Sequence, residues 1–133
     1  MKTFAIFFLI SILLSIHTSF ATEVTCFKED SSITLEGTLH RSTFPGSPNY
    51  ESIRKGDKPE TYWILKLPQP ICISTDKTIQ SLQLIVNPVL YKNRKLLRIK
   101  VKVAGTLTPQ ITGHHHTLFL IDVKTIQSLE NEK

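Results

Sequence analysis

No stretch of the 133-residue sequence sustains a helical hydrophobic period long enough to make a convincing helix. Cysteine is scarce: only Cys26 and Cys72, with no CxxC spacing, which argues against a thiolate metal centre. No Gly-x-Ser-x-Gly elbow is present, so no serine is marked as a nucleophile. Acidic residues are missing between Lys77 and Lys102, and no long apolar run follows residue 14. The chain therefore lacks a spanning helix after its start, since one needs roughly 20 apolar residues.

What is present begins with an address. Lys2 is followed by an almost unbroken apolar run, Phe4 to Leu14. Ser19-Phe20-Ala21 then sets small residues at the −3 and −1 positions of a cleavage site. Residues 1–21 read as a secretory signal peptide cleaved before Thr22, and residues 22–133 as a single domain. The formal net charge is +5, one unit of it from Lys2. So mild a charge predicts some attraction to anionic surfaces, and export makes nucleic acid an unexpected partner. In an oxidising compartment Cys26 and Cys72 are expected to pair. The closed loop of about 45 residues would contribute roughly 4 kcal/mol by chain entropy. Its Cα atoms should approach to about 5.5–6 Å.

Two-residue alternation recurs five times. Ile33, Leu35, Gly37 and Leu39 share a face in SSITLEGTLH. Trp63, Leu65 and Leu67 alternate with Tyr62, Ile64 and Lys66, and Pro68 and Pro70 should stop that strand. TIQSLQLIV aligns Leu82, Leu84 and Val86. LLRIKVKVAGTL sets Leu97, Ile99, Val101 and Val103 against Arg98, Lys100 and Lys102. Phe119, Ile121 and Val123 oppose Leu118, Leu120 and Asp122 in the last strand. Gly37 and Gly105 lie inside strands, where glycine marks a bulge or bend. Five strands with such corners predict an all-β fold: a small five-stranded OB-like barrel with one long Pro/Gly-rich loop, residues 44–60. A β-sandwich is the rival, though it usually needs about seven strands. A short helical turn is expected within residues 50–55.

Two stretches carry a resemblance. They are GSPNYESIRKGDKPETYWILKLPQPICI (46–73) and VKVAGTLTPQITGHHHTLFLIDV (101–123). Their Pro-Asn-Tyr-Glu run, Gly56-Asp57, the Pro68-to-Cys72 close and Thr-Gly-His-His-His-Thr (112–117) resemble a family of small exported bacterial proteins. That family is catalogued only as domain of unknown function 4431. The resemblance extends from about Leu35 onward. It implies a Gram-negative periplasmic location and supplies neither an activity nor catalytic residues.

The residues with most chemistry are His114, His115 and His116. On a strand His114 and His116 would point together and His115 away. Two such histidines can reach one zinc or copper ion, but a site needs a third ligand. His40, Asp57, Glu60 and Asp122 are the candidates. The alternative is a turn whose imidazoles bond to backbone or to loop carboxylates. Asn49, Tyr50, Glu51 and Asp57 form the second candidate group, a binding loop with Tyr50 as its aromatic contact. If loop and turn share one end of the domain, Asp57 or Glu51 should orient a histidine. The basic run Lys92, Arg94, Lys95, Arg98, Lys100 and Lys102 is either a positive binding face or the solvated side of a strand. No nucleophile or paired acid and base stands out. The sequence thus predicts a secreted, periplasmic binding or interaction module for an envelope protein or glycan, without a cofactor. The alternative is a zinc- or copper-binding protein at His114 and His116, possibly a metal-dependent hydrolase.

Overall fold

A computed structural model describes residues 26–74 and 77–130. The expected signal peptide and its cleavage point lie outside the described residues. Among the described residues six strands make up one sheet: β1 Cys26–Phe27, β2 Ser32–Pro45, β3 Pro59–Ile73, β4 Lys77–Ile85, β5 Lys100–Pro109 and β6 Phe119–Ser128. The strand order is β1-β3-β2-β5-β6-β4, with β3 also paired to β4. Strands β2 to β6 therefore form a ring, and β1 is attached outside it, parallel to β3. All ring pairings are antiparallel except β4 with β6, a parallel seam from Gln83–Leu120 to Ile85–Asp122.

Alternation builds the ring. Ile33, Leu35 and Leu39 of β2 are buried, as are Trp63, Leu65 and Leu67 of β3. Leu82 and Leu84, Val101, Val103 and Leu107, and Phe119 and Ile121 complete the interior. Each such side chain contributes about 1.5–3 kcal/mol when fully buried. Strand β2 is long because it serves two neighbours. Residues 32–38 pair with β5 and residues 38–45 with β3. It turns the corner at Gly37, where an added Cβ would lie 2.5 Å from the Lys66 carbonyl oxygen. A second corner lies between β5 and β6. Gly105 pairs with Val123 and Ala104 with Thr125, which leaves Lys124 as the extra residue of a bulge. Beyond it the inward phase shifts, and Ile126 packs on the core.

Three expectations need correction. Strand β3 does not stop at Pro68 or Pro70 but runs to Ile73. Its register with β4 shifts between Lys66 and Ile71, so both prolines sit where no N–H is required. The basic strand starts at Lys100, after its expected leucines. Leu96 lies in a 3-10 turn (Arg94–Leu96), and Arg98 adopts a left-handed φ of 65°, which breaks the alternation. The basic run is thereby divided. Lys92, Arg94 and Lys95 lie on the β4–β5 connection with the short helix α1 (Pro88–Tyr91), while Lys100 and Lys102 are on β5. Lys102 is paired with Glu36 at 2.9 Å. Finally, the described residues form six strands rather than the five expected, because β1 has no sequence signature. It exists where Cys26 pairs with Cys72, and a disulfide joins them. The Cα separation is 4.3 Å, closer than expected, because the two cysteines are direct cross-strand neighbours. Among the described residues no helix is long and apolar enough to cross a membrane.

Candidate functional site

The β2–β3 loop (residues 46–58) is organised by one buried carboxylate. Asp57 accepts hydrogen bonds from the backbone N–H groups of Asn49, Glu51 and Ser52 and from the Asn49 side chain, at 2.8–3.2 Å. These bonds, that from Ser52 foremost, hold the Asp57 carboxyl below its ordinary range. A 3-10 turn at Ile53–Lys55 lies inside the loop, close to the expected position, and Gly56 ends it with a φ of 109°. Tyr50, flanked by two of the bonded amides, has a φ of 60°.

The β5–β6 connection carries the three histidines. It is a turn rather than a strand. It is held from outside by Gln83 on β4, which is 2% exposed. The Gln83 amide donates to the His114 carbonyl at 2.9 Å and accepts from the His116 N–H at 2.8 Å. Its own backbone N–H donates to Thr117 Oγ1 at 2.8 Å. One buried side chain thus satisfies both sides of the turn, as a neighbouring strand would.

Loop and turn meet over Glu60, the second residue of β3. His114 Nδ1 lies 2.9 and 3.0 Å from the two Glu60 carboxylate oxygens. Tyr62 O–H donates to Glu60 Oε2 at 2.9 Å. His116 Nε2 stands 3.8 Å from the same oxygen. The hydrogen bond from His114, foremost, lowers the Glu60 pKa against the opposing effect of desolvation. Burial, followed by the Glu60 contact, pushes the Tyr62 phenol up to about 12. On the other side of His114, Nε2 is 3.2 Å from the Tyr50 hydroxyl. Two glycines allow this closeness. A Cβ on Gly46 would overlap the Glu60 carboxylate, and one on Gly113 would stand 3.0 Å from the Tyr50 ring. His116 stacks face to face on Phe44, with ring centroids 4.4 Å apart. Its buried Nε2 has no hydrogen-bond partner among the described residues.

His114 and His116 therefore share a side, as their spacing predicts, although their backbone is not a strand. His115 turns back into its own loop. Its Nδ1 accepts from the Ile111 N–H at 3.1 Å, and its carbonyl accepts from the Gln110 amide. Burial first, then the neighbouring histidines, lowers its pKa. Tyr50 reaches the site, whereas Asn49, Glu51 and Asp57 spend the polar groups described above on the loop. Glu60, not Asp57 or Glu51, orients the histidine. Glu60, Tyr62 and Gln83 are the residues that sequence reasoning did not place in the binding set. The i, i+2 spacing of Glu60 and Tyr62 on one strand was an available signal; Gln83 had none. His40 lies elsewhere, beside Lys66 and Lys100, and Asp122 is exposed on β6. Among the described residues no group of three or more His, Cys, Asp or Glu side chains is arranged to hold a metal ion.

Beside the cluster, β3 and β4 separate beyond the Trp63–Leu84 pair. The gap is a cleft of about 400 Å³, lined by Tyr62, Trp63, Leu84, Val86, Tyr91 and His114 among others. Tyr91 closes one end, donating to the Thr61 carbonyl at 2.9 Å and accepting from Arg41 at 3.0 Å.

Residues 81–127 match the family described as a domain of unknown function, DUF4431. The DUF4431 segment runs from β4 into β6, so it contains Gln83 and all three histidines. It is shorter than the resemblance read from the sequence, and Tyr50, Glu60 and Tyr62 lie outside it. No curated protein matches the chain.

Proposed function

We propose that the ring is a barrel of the oligonucleotide/oligosaccharide-binding type and that the protein is an exported binding module. The observation that carries this reading is the junction of Tyr50, Glu60 and His114 beside an aromatic cleft of about 400 Å³. It brings the loop between the first two ring strands against the turn between the last two, over the second and third strands. Barrels of this type take their ligands at that place. The cleft is mainly apolar with a polar edge, the usual character of a ligand site. The Cys26–Cys72 disulfide supports an oxidising compartment, for which the periplasm is our assignment. The ligand class is an envelope glycan or protein. The division of the basic run and the Lys102–Glu36 pair weigh against a continuous phosphate-binding face.

The test is retention of oligosaccharides and of envelope proteins on immobilised protein at low salt, comparing the wild type with Val86→Trp. The substitution fills the cleft while Glu60 and all three histidines are kept in the sequence. Retention by the wild type and its loss in Val86→Trp supports the reading. Equal retention by both proteins, or none by either, rejects it.

A further inference from the structure

The protein has three tyrosines, Tyr50, Tyr62 and Tyr91, and their hydroxyl protons face different acceptors. Tyr62 donates to the Glu60 carboxylate at 2.9 Å, which opposes loss of its proton. Tyr91 donates to a backbone carbonyl at 2.9 Å, and carbonyls do not take up protons. Among the described residues only Tyr50 meets a nitrogen base, His114 Nε2 at 3.2 Å.

The tautomer follows from the partners. An ionised carboxylate only accepts, so His114 Nδ1 must carry the hydrogen that it donates to Glu60. In the neutral imidazole the lone pair of Nε2 then faces the Tyr50 hydroxyl. The order carboxylate, imidazole, hydroxyl is the arrangement by which a base activates an oxygen nucleophile. Both elements that carry it are fixed. Asp57 binds the amides on either side of Tyr50, and Gln83 grips the backbone on either side of His115. The His114 side chain is 52% exposed, so a reagent can reach the pair. The left-handed backbone of Tyr50 is the kind of local strain found where a side chain must be presented in one place.

We infer that Tyr50 is a nucleophilic site for acyl-type electrophiles, with His114 as its general base and Glu60 as the positioning residue. The Tyr50 oxygen attacks the electrophilic centre. The new bond to oxygen forms as the bond to the leaving group breaks, and the leaving group departs with that electron pair. The hydroxyl proton passes to His114 Nε2 and from there to the leaving group or to water. An activated ester or thioester would deliver its acyl group to Tyr50 in this way. No oxidant or reductant is involved. The inference is independent of whether the adjoining cleft takes a ligand.

The probe is benzenesulfonyl fluoride, which forms an S–O bond and releases fluoride by the same proton path. The full disulfide-bonded chain is treated, and the labelling rate of each tyrosine is read by peptide mass mapping. Tyr50 is expected to react at least about tenfold faster than Tyr91, given the usual range for general-base assistance. His114→Gln should slow Tyr50 about tenfold or more and leave Tyr91 unchanged. Glu60→Gln should slow Tyr50 and move the acidic fall of its pH–rate profile to lower pH, because a less basic imidazole protonates later. Should His114→Gln unfold the chain, which acceleration at Tyr91 would reveal, the Glu60→Gln profile decides. A Tyr50 rate no greater than that of Tyr91, a fast rate that survives His114→Gln in a folded protein, or an unmoved profile in Glu60→Gln overturns the inference.

Discussion

The two loops that meet over Glu60 are built on opposite plans. The β2–β3 loop is ordered from within: Asp57 gathers the amides of Asn49, Glu51 and Ser52, all in its own segment. The histidine turn has its own bonds at His115 but is also clamped from without, by the Gln83 side chain on another strand. A self-bonded loop keeps its shape when its surroundings loosen. The part of the turn held by the clamp, at His114 and His116, keeps its place only while the clamping strand stays. One wall of the site is therefore a local property of the chain, and the other is a property of the assembled ring.

The widest disturbance of both walls is removal of the disulfide. Cys26→Ser with Cys72→Ser is expected to lower global stability by about 4 kcal/mol, measured by denaturant unfolding. Loop and turn should then open together, and separate loss of the turn in this variant would mean that the bridge supports it specifically. Gln83→Ala separates the two plans. It deletes both clamp bonds and leaves a buried gap, for an expected loss of roughly 2–3 kcal/mol. Amide exchange should accelerate at His116 and remain slow at Glu51 and Ser52. Equal acceleration in both segments would mean that loop and turn are ordered in the same way.

Asp57→Asn probes the other wall. Depression of the Asp57 carboxyl means that its stabilisation is present above the ordinary aspartate range and is lost as pH falls through the folded value. The substitution should lower the melting temperature by roughly 5 °C at neutral pH. That difference should shrink on acidification below about pH 4, where the wild type loses the same contribution. A difference that stays constant with pH would show that the carboxylate charge is not what orders the loop. Gly113→Ala is the mildest change. Its new methyl meets the Tyr50 ring, so a cost of about 1 kcal/mol is expected. The Tyr50 and His114 ring signals should shift in NMR spectra while those of Trp63 stay fixed.

The contrast also explains what could be read in advance. The inward faces of the strands were legible, because Ile33, Leu35, Val101 and Val103 need only period-two alternation to find the core. That His114 and His116 share a side was expected from strand alternation, but it arises in a turn held by Gln83. The link from His114 to Glu60 was not, since it spans 54 positions and depends on how the ring closes. Asp57 misled because a carboxylate in a loop looks the same whether it faces a ligand or its own backbone. Pro68 and Pro70 misled because a strand tolerates proline where its register slips. Gln83 sits in an alternating strand like any outward polar residue, and only the turn lying over it makes it a clamp.

The parallel seam between β4 and β6 is the shortest join in the ring, from Gln83–Leu120 to Ile85–Asp122. Its first residue is also the clamp on the histidine turn. Completing the circle and assembling the histidine wall are thus one molecular event, made by a single residue facing two ways. An intermediate with the seam unzipped would have an ordered Tyr50 loop and no imidazole beside it. The contact of His114 with Glu60 therefore reports on whether the chain has closed on itself.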